Sequence, residues 1–315
     1  MLAACLPRCT ERETTTMDFK FNFEVEDLGE DGKEESRRRF NDNFNRPTQE
    51  KKLKKEEDIA LAKEILLPVN SVALLRNRKP QEIKAGATSF RIVDSADVEC
   101  KLKDDKDGHL LKAIAQHSDL LPNVYEGGLK VWECCLDLVE FLADAGVSFK
   151  DSRVLELGCG AALPGIFALQ HGAEVFLQDY NEEVITEITM PNVVLNLGAE
   201  SDKVNSKCRF FSGDWTLFEE MMVNRLTQDD DKFDIILTSE TIYNTDSNHG
   251  LYSVIKSLLK HTGVVYLAAK THYFGVGGGT RLFEELVNRQ GEFTTEVCRT
   301  YTEGVQREIL MMKWK

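Results

Sequence analysis

From Leu120 onward, short β-rich runs alternate with amphipathic stretches, whereas the residues before it are polar and show little sustained apolar periodicity. That alternation predicts an α/β fold, a doubly wound and mostly parallel sheet. Seven strands are expected, at Arg153–Leu157, Glu174–Gln178, Cys208–Ser212, Phe233–Thr238, Gly263–Ala269, Phe293–Arg299 and Gln306–Lys313. Only YTEGV (Tyr301 to Val305) separates the last two, too short for a parallel crossover, so they are expected to close the sheet as an antiparallel hairpin. This domain is placed at residues 117–315, and residues 1–116 are expected to be a polar, mostly flexible region. The one clear alternating stretch in that region is FKFNFEVED, Phe19 to Asp27.

The run VLELGCGAALPG (Val154 to Gly165) is an apolar strand that meets glycines where a helix should begin. Glycines there allow a tight turn and close backbone approach to a ligand, and the following helix offers unpaired N–H groups. Twenty-one residues after Gly158 the second strand runs into Asp179, where an acid accepts hydrogen bonds from ribose hydroxyls. Both features suit NAD and S-adenosylmethionine alike. The rest of the loop separates them: Glu156, Gly158 and Gly160 make E-x-G-x-G, while Leu163 stands where the dinucleotide fingerprint has its last glycine. A third strand ends SGDW, which sets Asp214 to accept from an adenine amino group with Trp215 against the ring. Asp214 equally suits the N-cap of the helix that follows. S-adenosylmethionine is the expected cofactor, and no metal is expected.

Composition narrows the partners rather than the fold. The 315 residues carry 39 Lys+Arg against 53 Asp+Glu, a formal charge of −14. Such a surface repels phosphate, which disfavours direct nucleic-acid recognition and favours a basic protein partner. The eight cysteines include no C-x-x-C pair and several lie in apolar runs, pointing to a reducing compartment. No apolar run approaches the roughly 18–20 residues that span a bilayer, and the opening MLAACLPRC lacks the layout of a secretory signal. The expectation is an intracellular soluble monomer without a membrane partner. Arg38-Arg39 and, after eleven residues, Lys51-Lys52-Leu53-Lys54-Lys55 have the spacing of a bipartite nuclear-import signal, so a nuclear and cytoplasmic distribution is expected. KKLKKEED is also an ordinary charged helix start.

Six segments, SDLLPNVYEGGLKVWECCLDLVEFL, ELGCGAALPG, QDYNEEVITEITMPNV, RFFSGDW, LTSETIYN and AAKTHYFGVGGGTRLF, together resemble the histidine protein methyltransferase 1 family. That family is a branch of the seven-strand, Rossmann-like class I methyltransferases that use S-adenosylmethionine. The resemblance covers roughly Ser118 to Lys315; the glycine loop and ribose acid are common to the superfamily, whereas YEGGLKVWE and YFGVGGG are more restricted. MDFKFNFEVED, from Met17, resembles the family's amino terminus, and Met1 to Thr16 resemble an added leader. The resemblance implies cofactor contacts from Val131, Trp132, Glu133, Cys134 and Cys135, then Gly158, Gln178, Asp179, Tyr180, Gly213, Asp214, Trp215 and Ser239. It also implies methylation of the tele nitrogen of a histidine, in a ribosomal protein of the large subunit. Adjacent helical residues point about 100° apart, so Trp132 and Glu133 cannot both face one core, and one is expected to face the cofactor; plain packing is the alternative for Trp132.

In an open α/β sheet the residues just beyond the strands meet the reactants. After the fourth strand, Ser239-Glu240-Thr241-Ile242-Tyr243-Asn244 lacks the proline-proline-aromatic grip used on exocyclic base amines, which argues against a nucleobase substrate. Its E-x-x-Y form, Glu240 and Tyr243, resembles that of protein methyltransferases in the same branch; a solvated loop acid is the alternative for Glu240. Glu240, Tyr243 and Asn244, with Tyr273 and Phe274 opposite, form the expected grip on the acceptor. After the fifth strand, Lys270 to Gly279 combine aromatics with four glycines in five positions, a pattern suited to close backbone approach. His272 is taken as a loop residue rather than a base. Histidine, with a pKa near ~6.5, is largely neutral at pH 7, unlike lysine near ~10.4, so no strong base is required. The alternative activity is a protein-lysine methyltransferase of the same fold; a non-catalytic scaffold would not need Glu156, Gly158, Gly160 and Asp179 together.

Overall fold

The computed structural model describes residues 60–98, 125–198, 204 and 206–315, so FKFNFEVED and both basic clusters lie outside the described residues. Among the described residues there are ten strands: β1 (Lys63–Ile65), β2 (Pro80–Ala85), β3 (Thr88–Val93), β4 (Arg153–Leu157), β5 (Glu174–Asp179), β6 (Cys208–Ser212), β7 (Phe233–Ser239), β8 (Leu259–Lys270), β9 (Phe293–Tyr301) and β10 (Arg307–Trp314). Eight of them form one sheet in the order β1-β6-β5-β4-β7-β8-β10-β9, and β2 and β3 form a separate hairpin. Strands β6, β5, β4, β7 and β8 run parallel, while β10 is antiparallel to both β8 and β9. The chain winds outward from β4 in both directions, and that reversal opens a crevice at the carboxyl end of β4.

Among the described residues the helices flanking the large sheet are α1 (Glu133–Asp144), α2 (Leu163–Gln170), α3 (Met190–Leu197), α4 (Trp215–Val223), α5 (Asn248–Leu258) and α6 (Thr280–Gln290). A turn of helix at Glu182–Val184 and a π-helical stretch at Ile185–Thr189 lead into α3. Side chains alternate across the sheet with period two. Val154, Val175 and Leu177 pack with α1, α2 and α3, and Leu155, Leu157 and Phe176 pack with α4, α5 and α6. Fully burying one such Leu or Phe contributes about 1.5–3 kcal/mol.

All seven expected strands are present with their terminal hairpin, and β8 starts earlier than expected, at Leu259. The sheet has eight strands rather than seven, because β1 adds to its edge, antiparallel to β6. Three residues are too few to show a periodicity, which is why β1 is not apparent in the sequence. The β2–β3 hairpin, also from the region expected to be flexible, turns at Gly86 with φ +55°. Side-chain amides of α3 treat β3 as a sheet partner: Asn192 Oδ1 accepts the Val93 N–H at 2.9 Å, and Asn196 accepts from Arg91 N at 2.9 Å and donates to Arg91 O at 2.7 Å. With Ala85, Phe90 and Val93 buried in the same core as α1, the hairpin is part of the folded unit.

Candidate active site

The crevice floor is built by the loop after β4, where Gly158, Gly160 and Ala162 all take positive φ, +62°, +46° and +60°. Asp179, last residue of β5, is buried there, its Oδ2 accepting from Gly160 N at 2.9 Å and Oδ1 from Asn181 N at 3.2 Å. Burial pushes its carboxyl up to about 6 even though those N–H groups favour the charge. Glu156 lies beneath the loop instead of in it, with Oε2 accepting from Gly165 N at 2.8 Å in the first turn of α2 and burial raising it to about 8. A Cβ on Gly158 would sit 2.5 Å from the Thr241 methyl, so this glycine makes room for the loop after β7.

Gln178 ties the neighbouring loops together: Nε2 donates to Gly213 O at 2.8 Å and Oε1 accepts from Trp215 Nε1 at 2.9 Å. Trp215 is thereby fixed by its edge, and half-buried Tyr180 follows Asp179 on the same rim. Asp214 caps α4, with Oδ1 accepting from Thr216 N at 2.9 Å. At Gly213, φ is +123° and a Cβ would come within 2.6 Å of Ala62 Cα, because the chain entering β1 crosses here. A buried acceptor at the strand end, a loop of positive-φ residues and an edge-anchored indole are the donor set and surface that an adenosine group requires, and S-adenosylmethionine fits them.

Opposite this rim stands the start of α1. Val131 is half-buried, and Trp132 occupies the N-cap position with Nε1 donating to Gly127 O at 3.0 Å. The core-facing positions fall to Cys134 and Cys135, whose thiols burial holds well above the usual range, and not to Trp132 or Glu133. Ser239, closing β7, is hydrogen-bonded to Cys135. Lys270 ends β8 and is buried, with its ammonium 3.7 Å from Glu240 Oε1, 4.0 Å from Glu133 Oε2 and 5.7 Å from the ring centroids of both Trp132 and Tyr273. Arg307 of β10 closes the cluster onto α1, its Nε 2.6 Å from Asp137 Oδ2.

The two loops beyond β7 and β8 are joined along their backbones. Gly278 N donates to Tyr243 O at 3.0 Å, Gly279 N to Ile242 O at 3.1 Å, and Asn244 bridges Gly277. A Cβ at Gly278 would lie 2.1 Å from Ile242 O, so these glycines admit the partner loop. Glu240 adopts φ +57°, a region costly for a side-chain-bearing residue. Its carboxylate is buried rather than solvated, accepting from Tyr273 OH and, at 3.5 Å, from Cys134 N. Tyr243 donates to Glu126, and its ring meets Tyr273 edge-on at 6.4 Å. Asn244 Oδ1 closes its own turn on Asp246 N at 3.0 Å, so that oxygen is turned into the loop. His272 and Phe274 are exposed at the rim, rings 4.9 Å apart. Glu126, Lys270, Thr241 and Arg307 carry no sequence signal strong enough to single them out, although Glu126 lies inside the restricted YEGG motif.

A family model described as "Lysine methyltransferase" matches residues 122–282. "Histidine protein methyltransferase 1 homolog" of Rattus norvegicus is 39% identical over 280 residues, covering 83% of this chain and 76% of that protein. The protein of the same name in Bos taurus is 45% identical over 225 residues, 65% of this chain and 60% of its own, and that of Dictyostelium discoideum 43% over 199 residues, 62% and 61%.

The chain belongs to the histidine protein methyltransferase 1 family.

Membership makes it a methyltransferase with S-adenosylmethionine as methyl donor. The matches to the bovine and amoebal family members span about three fifths of their lengths.

Proposed function

We propose that this protein methylates the tele nitrogen of a histidine in a basic protein, a ribosomal protein of the large subunit, and that it works in nucleus and cytoplasm. The observation that carries the choice of acceptor is the Tyr243–Tyr273 pair at the carboxyl ends of β7 and β8, an aromatic wall suited to a flat, neutral ring. S-adenosylmethionine supplies an electrophilic methyl on a sulfonium. The chain has to align, desolvate and present an unprotonated nitrogen. Glu240 is unsuited to removing a proton, since its charge is matched by Lys270 and its oxygens are taken by Tyr273 and Cys134.

The family model's description favours lysine as the second reading. Transfer from labelled S-adenosylmethionine to large-subunit ribosomal proteins, with the modified residue identified by mass spectrometry, separates the two. The pH profile does so independently. The free-base form reacts, so histidine transfer rises to a plateau above about pH 6.5, whereas lysine transfer keeps rising toward about pH 10. Label on lysine refutes the proposal.

A further inference from the structure

Two carboxylate–phenol pairs face one another at the mouth of the crevice, Glu240 with Tyr273 and Glu126 with Tyr243. They are not equivalent. The Tyr273 oxygen donates to Glu240 and accepts from Lys270 N at 3.3 Å, and its ring is buried. Tyr243 is half-buried, gives its only proton to Glu126, and meets no donor among the described residues. A phenol has one O–H and two lone pairs, so with the proton committed Tyr243 can only accept from a substrate.

Glu126 spans the crevice. Its backbone N–H donates to Asn181 Oδ1 at 3.3 Å, beyond the ribose acid, while its side chain reaches the loop after β7. The next glycines complete the strap: a Cβ on Gly128 would lie 3.3 Å from Asp179 Oδ2, and one on Gly160 would lie 3.3 Å from Gly128 O.

We infer that Glu126 is a positioning residue that fixes Tyr243 as a hydrogen-bond acceptor, and that Tyr243 thereby orients a neutral imidazole and selects the nitrogen to be methylated. This rests on the histidine reading above. A neutral imidazole has one N–H and one lone pair on opposite sides of the ring, so docking the N–H on Tyr243 turns the lone pair away from it, toward the donor. That lone pair forms the new N–C bond while the C–S pair stays on sulfur, leaving a neutral thioether. Positive charge passes to the ring, where the carboxylate behind the phenol favours it, and the remaining ring N–H proton leaves to water. A neutral primary amine would donate to the phenol from the same nitrogen that is methylated, so the choice between nitrogens arises only for an imidazole.

The test uses the full chain with labelled S-adenosylmethionine and large-subunit ribosomal proteins, resolving tele- from pros-methylhistidine. Tyr243→Phe is expected to cost roughly tenfold or more in kcat and to yield both isomers, with cofactor affinity by calorimetry unchanged. Glu126→Ala should do the same and add little to Tyr243→Phe, while Glu126→Gln, which still accepts from the phenol, should recover isomer purity. If Glu126→Ala disturbs cofactor binding, the Glu126→Gln and Tyr243→Phe variants carry the comparison. Pure tele product at near wild-type rate from Tyr243→Phe or Glu126→Ala overturns the inference while leaving the acceptor standing. Wild-type label on lysine overturns both.

Discussion

Asp179 shows how one carboxyl serves folding and ligand in opposite senses. Folding raises its pKa from 3.8 to about 6, so relative to the unfolded chain the cofactor-free protein loses stability as pH rises across that window. Ribose hydroxyls, by contrast, donate best to the ionised form, so cofactor affinity should fall as pH drops through about 6. Asp179→Asn is expected to weaken S-adenosylmethionine binding by roughly 1.5–3 kcal/mol and to flatten both trends. Calorimetric titrations and melting curves between pH 4 and 8 would show it, and affinity still varying with pH in the variant would assign the effect elsewhere. Glu156, raised to about 8 beneath the loop, is a second contributor to the stability trend and has no hydroxyl to meet.

Among the elements, the joined loops after β7 and β8 make the sharpest mutational case. Gly278→Ala would place a methyl 2.1 Å from Ile242 O, which only a separation of the loops can relieve. Loss of protein methylation with cofactor affinity retained is the expected outcome, since β4, β5 and β6 carry the cofactor end; equal loss of both would mean the sheet itself has been disturbed. Gly158→Val is instead expected to lose cofactor affinity and methylation together in the same two assays, because with φ +62° and Thr241 at 2.5 Å it strains the turn and pushes on the loop after β7 at once. Elements with short β-rich apolar runs were legible in the sequence, as was the terminal hairpin, because a five-residue connection leaves no other topology. The three-residue β1 and the π-helical stretch at Ile185–Thr189 were not, since neither has a distinctive side-chain spacing. Backbone placement was legible where a motif fixes it, as at Gly158 with its positive φ, Asp179 at the end of β5 and Asp214 at the N-cap of α4. Partners distant in sequence stayed hidden: nothing local tells that Glu126 finds Tyr243 or that Glu240 finds Lys270.

For the whole molecule, charge governs encounter more than chemistry. For the proposed ribosomal substrate, a net −14 attracts the lysine- and arginine-rich protein and is repelled by ribosomal RNA, so free substrate should be methylated faster than the assembled subunit. Raising ionic strength from about 0.05 to 0.5 M should increase KM for a basic substrate with little change in kcat, because exposed charges are screened beyond a Debye length of about 10 Å at 0.1 M. Equal labelling of free and assembled substrate, or a KM indifferent to salt, would remove the electrostatic argument.

The ion pair between Asp137 and Arg307 joins positions 170 residues apart. During synthesis at about 5–20 residues per second, α1 therefore emerges roughly 10–30 s before the strand that anchors it. Until β10 emerges the helix that starts at Glu133 has no salt-bridge partner in that strand, and β8, once made, has an open edge where β10 will lie. Anchoring of α1 is thus a later event than formation of the helix itself, and until it happens the edge of β8 is an unpaired strand open to pairing with other chains.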